Sequence, residues 1–159
     1  MRDLEILVAE LRKNLEVLDK IRAFLDATEG RELAASGRTA ATGLMMAGIL
    51  ENYYTCLETL FLRVSQSFEN NLEESRWHAA LLDRMTLRVP GLREPVIAES
   101  TRRDLAELLR FRHFKRYYFE FEYDWERLDF LVGKLKSVHP RVEADIGNFI
   151  ALLERAGRA

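Results

Sequence analysis

The sequence predicts an all-α fold, an antiparallel bundle of about five to six helices with short connections. Apolar residues recur at three- and four-residue steps through most of the chain, which is the period of an amphipathic helix. Only three prolines and eight glycines interrupt the 159 residues. Strand-like alternation is confined to FEFEY, residues 119–123, which is short and lies between helical patterns.

Composition and charge predict one globular domain over residues 1–159. Hydrophobic residues make up 48% and charged residues 31%, a mixture typical of soluble proteins. The formal net charge of −2 does not favour nucleic acid, so RNA binding would need a local cationic patch. The N-terminus lacks a signal-peptide pattern, and no run approaches the about 18 apolar residues of a membrane helix. With a single cysteine, which excludes a disulfide framework, we expect a cytoplasmic protein that binds no membrane.

Two long helices are predicted in the first half of the chain. Residues 4–25 carry an apolar stripe, and Gly30 is expected to follow the end of that helix. Residues 30–37 are then a connector. The second helix is predicted over residues 38–68 and should end before Asn70-Asn71. Its first part is small and apolar on most sides, which favours close helix packing.

Two further helices are predicted on either side of a loop. Ser75 is the expected N-cap of a short third helix that buries leucines and a methionine. Residues 89–96, VPGLREPV, form a loop by their proline and glycine content. The fourth helix begins near Thr101, because Thr101 and Asp104 fit a capping box.

The end of the chain predicts two more helices. Asp124 is expected to cap a fifth helix, and Pro140 is expected to interrupt it and begin a sixth. His139, directly before Pro140, is expected to be a helix cap, and His78 to form hydrogen bonds within the core. Cys56 is expected to be a small buried apolar residue. Because neither histidine has a metal-ligand spacing, we predict no metal site and no cofactor.

The densest segment is RFRHFKRYYFEFEYDW, residues 110–125, which holds four cations, one histidine and eight aromatic residues. On a helix, one face carries residues at i, i+3, i+4 and i+7, namely Arg112, Lys115, Arg116 and Phe119. Guanidinium groups bind phosphate and aromatic rings stack on bases, so this face would suit RNA. A solvated cationic face paired with neighbouring acids is the alternative.

Three blocks, ENYYTCLETLFLRVSQSFE, SRWHAALLDRM and LLRFRHFKRYYFEFEYDWERLDFL, follow one another in this order. Together they resemble the HepT branch of the HEPN superfamily over about residues 45–135. The resemblance implies an HEPN-type helical bundle that forms homodimers. It also implies metal-independent ribonuclease activity in the active members of the family.

The family motif is an arginine, a polar residue, a short spacer and a histidine, often followed by a tyrosine. By resemblance Arg112 matches the arginine and His113 the polar residue, but the histidine position holds Tyr117 and the tyrosine position holds Phe119. In the family the arginine would stabilise charge on the phosphate while the histidine moves a proton. A tyrosine, with a reference pKa of about 10, is a poor base near neutral pH.

The predicted site is therefore a catalytic group of Arg112, His113 and Tyr117 with RNA-binding cations around it, which are Arg110, Lys115 and Arg116. Three hypotheses remain open. In the first, the chain is a HepT-like module that dimerises and binds a nucleotidyltransferase-type antitoxin or RNA without the usual nuclease chemistry. In the second, it is an active endoribonuclease toxin with an altered site. In the third, it is a helical interaction protein unrelated to RNA.

Two further expectations follow from the resemblance. The homodimer should place the fourth helix near the two-fold axis, so that two copies of Arg112 line one cleft. In toxin–antitoxin pairs of this family the nucleotidyltransferase adds AMP to the motif tyrosine. Phe119 has no hydroxyl for this modification, so Tyr117 or Tyr118 would have to replace it.

Overall fold

The computed structural model describes residues 2–69 and 77–158 of the chain. Its main helices are α1 (Arg2–Thr28), α2 (Ala40–Phe68), α3 (Trp77–Arg84), α4 (Glu99–Tyr117) and α5 (Trp125–Arg158). Among these described residues there is no β-strand, and the only bridge joins Val89 to Arg93. The prediction of an all-α helical bundle is confirmed.

Helix α2 is the central element of the bundle, because it packs against α1, α3, α4 and α5. Its fully buried side chains include Tyr53, Tyr54 and Phe61. Apolar residues of the other helices surround them in one core. Cys56 is only half-buried, beside Asn14, and burial raises the pKa of its thiol. No helix in the described part of the chain has the length and apolar character that crossing a membrane requires.

The predicted end of the first helix at Gly30 is wrong. A π-helical turn over Glu29–Leu33 and a last turn over Ala34–Ser36 continue α1 through the predicted connector. A glycine inside a helix costs only about 1 kcal/mol relative to alanine, so Gly30 alone does not stop it. Gly37 ends the helix, because its φ of 70° lies in the left-handed region that favours glycine.

Helix α2 starts with a capping box that the sequence analysis did not identify. Thr39 is its N-cap, and its side-chain oxygen accepts from the backbone N–H of Thr42 at 3.2 Å. The Thr42 hydroxyl accepts in return from the backbone N–H of Thr39 at 2.9 Å. The helix runs to Phe68, as predicted, whereas Asn70, Asn71 and the expected N-cap Ser75 lie outside the described residues.

The loop predicted over residues 89–96 is confirmed. Its backbone turns at Gly91, whose φ is 77°, and Val89 and Arg93 exchange the hydrogen bonds of the isolated bridge. Val96 returns to the end of α3, where its N–H donates to the Met85 carbonyl at 2.8 Å. The C-terminal end of the loop is therefore held to the turn that follows α3.

The predicted capping box of Thr101 and Asp104 is wrong. Helix α4 begins at Glu99, and its N-cap, Ala98, makes no side-chain cap hydrogen bond. Asp145 of α5 supplies the missing acceptor, since its carboxylate accepts from the Ala98 N–H at 3.0 Å and from the Thr101 hydroxyl at 2.7 Å. An anion near a helix N-terminus is favourable, so tertiary packing takes over the role expected of a local cap.

Asp104 joins α4 to α5 instead of capping α4. Its carboxylate accepts from Lys134 at 2.9 Å and also from Arg141. Burial alone would raise the pKa of Asp104, but the hydrogen bonds from Arg141 and Lys134 outweigh it and hold the pKa below its ordinary value. The ionised form of Asp104 therefore stabilises the folded state.

Asp104→Asn is expected to lower the free energy of unfolding by about 1 kcal/mol at pH 7. Because the folded-state pKa is depressed, the contribution of Asp104 is lost as the pH falls through that pKa, and the difference from wild type should shrink below about pH 4. Urea unfolding at pH 7 and pH 3 measures this, with the exposed Asp129→Asn as control. A difference that stays constant with pH would contradict the prediction.

The segment between α4 and α5 is neither helix nor strand. Helix α4 ends at Tyr117, so Phe119 does not continue the helix face on which it was predicted, and the FEFEY alternation forms no strand. Asp124 caps α5 as predicted, because its carboxylate accepts from the Glu126 N–H at 3.0 Å.

The predicted break at Pro140 is wrong, because α5 is continuous from Trp125 to Arg158. A proline inside a helix destabilises it by about 3 kcal/mol, because it removes a backbone hydrogen bond and its ring crowds the preceding turn. The ring of Pro140 lies on the exposed side of α5. The buried stripe passes through Val138, His139 and Val142 without a change of phase, so packing on the bundle outweighs the missing hydrogen bond. His139 is consequently a buried mid-helix residue and not a cap.

Candidate functional site

Arg112 faces the central helix α2 rather than solvent. Its Nη1 donates to Glu58 Oε1 at 2.8 Å and its Nη2 donates to Glu58 Oε2 at 3.1 Å. Only 14% of the Arg112 side chain and 8% of the Glu58 side chain are exposed. A bidentate pair of this kind fixes the plane of the guanidinium as well as its position.

His78 of α3 completes this cluster. Its Nδ1 lies 2.9 Å from Arg112 Nη2 and 2.8 Å from Glu58 Oε2. Since Nδ1 carries either a lone pair or a hydrogen, it accepts from Arg112 in one tautomer and donates to Glu58 in the other. Three helices thus meet at the Arg112–Glu58–His78 cluster. The expectation that His78 forms hydrogen bonds inside the protein is confirmed.

Tyr54 lies beneath the cluster. The guanidinium carbon of Arg112 is 5.1 Å from the centre of the Tyr54 ring, a cation–π distance. Burial, reinforced by the charge of Glu58, raises the pKa of Tyr54 far above its ordinary value. Within the described part of the chain its buried hydroxyl has no hydrogen-bond partner. Tyr54 is therefore a neutral wall of the site.

The role of Glu58 was not predicted, although its position in the sequence indicates one. Glu58 follows Tyr54 by four residues and lies next to Leu57, within the apolar stripe of α2. An acid at a buried helix position requires a paired cation, since burying an unpaired carboxylate is costly. That requirement could have indicated a partner, but the sequence does not show which cation supplies it.

The predicted surface of three cations on one face of α4 is not formed. Lys115 is mostly buried and pairs with Glu51 of α2 at 3.2 Å, so it faces α2 together with Arg112. Arg116 is exposed, with its guanidinium carbon 6.0 Å from the centre of the Tyr117 ring. Arg110, which is exposed on another face, pairs with Glu107 at 2.5 Å. Glu58 and Glu51 of α2 thus neutralise Arg112 and Lys115, and Arg116 is the exposed cation of this predicted face.

The three predicted catalytic residues do not converge. His113 and Tyr117 are exposed, and their rings meet edge to face at 5.3 Å and 66°. Arg112 instead contacts Glu58, His78 and Tyr54. The one-residue step from Arg112 to His113 turns the two side chains about 100° apart on the helix.

Exposed aromatic side chains occur in the last turns of α4, in the segment that follows it and near the start of α5. We define this aromatic surface by its five members, Phe114, Tyr117, Phe119, Phe121 and Phe130, which are between 45% and 81% exposed. Phe114 also stacks on Tyr118 at 4.9 Å and borders an open cavity of about 450 Å³. Exposed apolar groups of this size mark interaction sites in soluble proteins.

Comparison with known proteins identifies one family. A family model described as HepT-like protein matches residues 45–153, which include the whole Arg112–Glu58–His78 cluster and the aromatic surface. No curated protein and no solved structure matches the chain.

Proposed function

Since this chain belongs to the HepT-like protein family, we propose that it is a homodimeric HEPN-type module of a toxin–antitoxin pair. Its partner is a nucleotidyltransferase-type antitoxin, as the family resemblance implies. The observation that carries the proposal is the aromatic surface at the end of α4. Five exposed aromatic rings are unfavourable in water, and burial against a partner would remove them from it.

The second copy of the chain is proposed to cover the aromatic surface. Aromatic side chains are enriched at the buried centres of interfaces, where they contribute large contact area with few rotatable bonds. Phe119 and Phe121 extend from the segment between α4 and α5 and are free of the core, so both can enter a partner surface without unfolding the bundle. Tyr117 at the end of α4 adjoins them.

The Phe119→Glu/Phe121→Glu variant is expected to convert the dimer into a monomer, because an interface would have to bury two unpaired carboxylates. Light scattering of the wild-type protein at micromolar concentration should give twice the 18.5 kDa mass of one chain, and the variant should give 18.5 kDa. Phe24→Glu, an equivalent change at an exposed phenylalanine of α1, should leave the dimer intact. A wild-type monomer overturns the proposal.

We further propose that the arginine site of this chain does not cut RNA. Arginine has five N–H donors, and Glu58 engages two of them while His78 lies at a third. The carboxylate of Glu58 would also repel an approaching phosphate. The motif position that would hold the proton-transferring histidine is Tyr117, which is exposed and turned away from the cluster.

A ribonuclease is the second candidate function, and one observation favours it. His78, whose imidazole is the side-chain type that most often serves as a general acid or base in enzymes, lies 2.9 Å from Arg112 although the motif histidine is absent. In this alternative Arg112 holds the phosphate, His78 replaces the motif histidine, and the exposed cations Arg110 and Arg116 bind the RNA chain.

An RNA-cleavage assay separates the two candidates. We expect the wild-type protein to leave RNA intact, as do Arg112→Ala, His78→Ala and Tyr117→His. Cleavage by the wild type that is lost in Arg112→Ala and His78→Ala would establish the ribonuclease instead, and a further loss in His113→Ala would add that residue to its site. Cleavage gained only by Tyr117→His would show that the substitution at position 117 alone removed the activity.

A further inference from the structure

A second cluster of chemically active side chains lies between α1 and α5, away from the arginine cluster. His139 of α5 is 7% exposed, and its Nε2 lies 2.8 Å from Asp19 Oδ1 and 2.5 Å from Glu143 Oε1. Both carboxylates are open to solvent on one side. We propose that Asp19, His139 and Glu143 form a binding site for a divalent transition-metal ion, with Zn²⁺ as the best match.

One ring nitrogen of His139 has more acceptors beside it than it has hydrogens to donate. Nε2 of His139 carries either one hydrogen or one lone pair, yet two carboxylates approach it. A single N–H cannot satisfy both carboxylates fully. One carboxylate oxygen of Asp19 and one of Glu143 also lie within 4.8 Å of each other, so the two negative charges repel. A divalent cation between them would replace the shared hydrogen and offset the repulsion of the two carboxylates.

A side chain of α2 orients the imidazole ring of His139. The Tyr53 hydroxyl of α2 lies 2.9 Å from His139 Nδ1, and the two rings meet edge to face at 5.7 Å and 71°. Metal-binding histidines almost always use the second ring nitrogen for such an oriented hydrogen bond, which sets the tautomer. In the tautomer whose Nδ1–H donates to the Tyr53 oxygen, Nε2 has a lone pair with which to coordinate a cation held by the two carboxylates.

The three side chains also lie within reach of one ion. His139 and Glu143 are four residues apart on α5 and therefore project from the same face, while Asp19 comes from the facing helix α1. One ligand atom from each residue lies within 4.8 Å of the others. Tetrahedral zinc, with bonds of about 2.0–2.2 Å, separates its ligand atoms by about 3.3–3.5 Å. Each exposed carboxylate would have to move by less than about 1 Å to reach that separation.

The three ligand groups also indicate which kind of metal ion would bind. One imidazole and two carboxylates suit Zn²⁺ and neighbouring transition metals, whereas Ca²⁺ and Mg²⁺ prefer sites made of oxygen alone. Three protein ligands leave a fourth position on the solvent side, where water completes the tetrahedron. Because α1 and α5 both contribute ligands, a bound ion would clamp these helices together and stabilise the fold in proportion to its affinity.

The test is a zinc titration of the tag-free full chain, followed by competition with a chromogenic chelator. We expect one Zn²⁺ per chain and a rise in Tm with zinc concentration. The Asp19→Asn/Glu143→Gln variant keeps side-chain size and leaves the buried imidazole in place. It should bind zinc at least about 100-fold more weakly and lose the rise in Tm. Tyr53→Phe should weaken binding by about 10–100-fold, the usual effect of removing a supporting hydrogen bond.

A matched control comes from the same helix interface. The Asp26→Asn/Glu29→Gln variant also removes two carboxylates near the junction of α1 and α5, but these pair with Lys136 rather than with a histidine. It should bind zinc as tightly as the wild type. The proposal is overturned if the wild-type chain does not bind zinc, or if the Asp19→Asn/Glu143→Gln variant binds it as well as this control does.

Discussion

The Glu58→Ala variant is expected to unfold with a free energy about 3 kcal/mol lower than that of the wild-type chain. The substitution leaves the guanidinium of Arg112 mostly buried without its bidentate acceptor, and it removes the carboxylate beside His78. Breaking one side of a buried pair costs more than the pair contributes, because the remaining charge cannot return to water. Urea unfolding at pH 7 measures the difference.

An exposed ion pair of the same helix provides the comparison. Glu107→Ala removes the partner of Arg110, which is largely exposed, and should cost no more than about 1 kcal/mol. The Glu58→Ala/Arg112→Ala double variant should be less destabilised than the sum of the two single variants, by about 0.5–3 kcal/mol. If Glu58→Ala costs as little as Glu107→Ala, the guanidinium is solvated and available to a phosphate, which would favour the ribonuclease.

Arg93→Ala is expected to lower the free energy of unfolding by about 4 kcal/mol. The Arg93 side chain is 1% exposed and pairs with Glu69 at the end of α2. It also donates to the carbonyls of Leu87 at 2.9 Å and Arg84 at 3.0 Å, and so ties the loop after α3 to the bundle. Its loss leaves a carboxylate and two carbonyl oxygens short of a donor.

Arg88 offers a control within the same loop. Its side chain is exposed and pairs only at the surface with Glu94, so Arg88→Ala should change the free energy of unfolding by less than about 0.5 kcal/mol. Hydrogen exchange of the backbone amides after α3 should accelerate in Arg93→Ala and remain at the wild-type rate in Arg88→Ala. Equal effects of the two substitutions would show that Arg93 does not anchor the loop.

The helical class and most of the helix positions could be predicted because their causes lie close together in the chain. The stripe of α2 repeats with the helical period up to Phe68, and Asp124 caps α5 through the N–H of Glu126 two residues away. The errors arose where a distant part of the chain decided the outcome. At Pro140, packing of α5 against the bundle outweighed a local helix-breaking preference.

The N-caps of the helices show the same contrast between local and tertiary interactions. Thr101 and Asp104 have the spacing of a capping box, but both form hydrogen bonds with α5 instead. Thr101 donates to Asp145, and Asp104 accepts from Lys134. Local side-chain hydrogen bonds of this kind compete with tertiary ones, and the ion pairs and shared acceptors between α4 and α5 are stronger here. Sequence spacing cannot reveal that competition, since it contains no information on which helices are neighbours.

By itself the sequence determined that this chain is a helical bundle and that it resembles the HepT-like proteins. The tertiary structure alone decided what Arg112 touches. Its partner Glu58 lies 54 positions away in the chain, and His139 meets Asp19 across 120 positions. Periodicity and capping act over a few residues, whereas these contacts depend on how whole helices pack, which only the folded chain specifies.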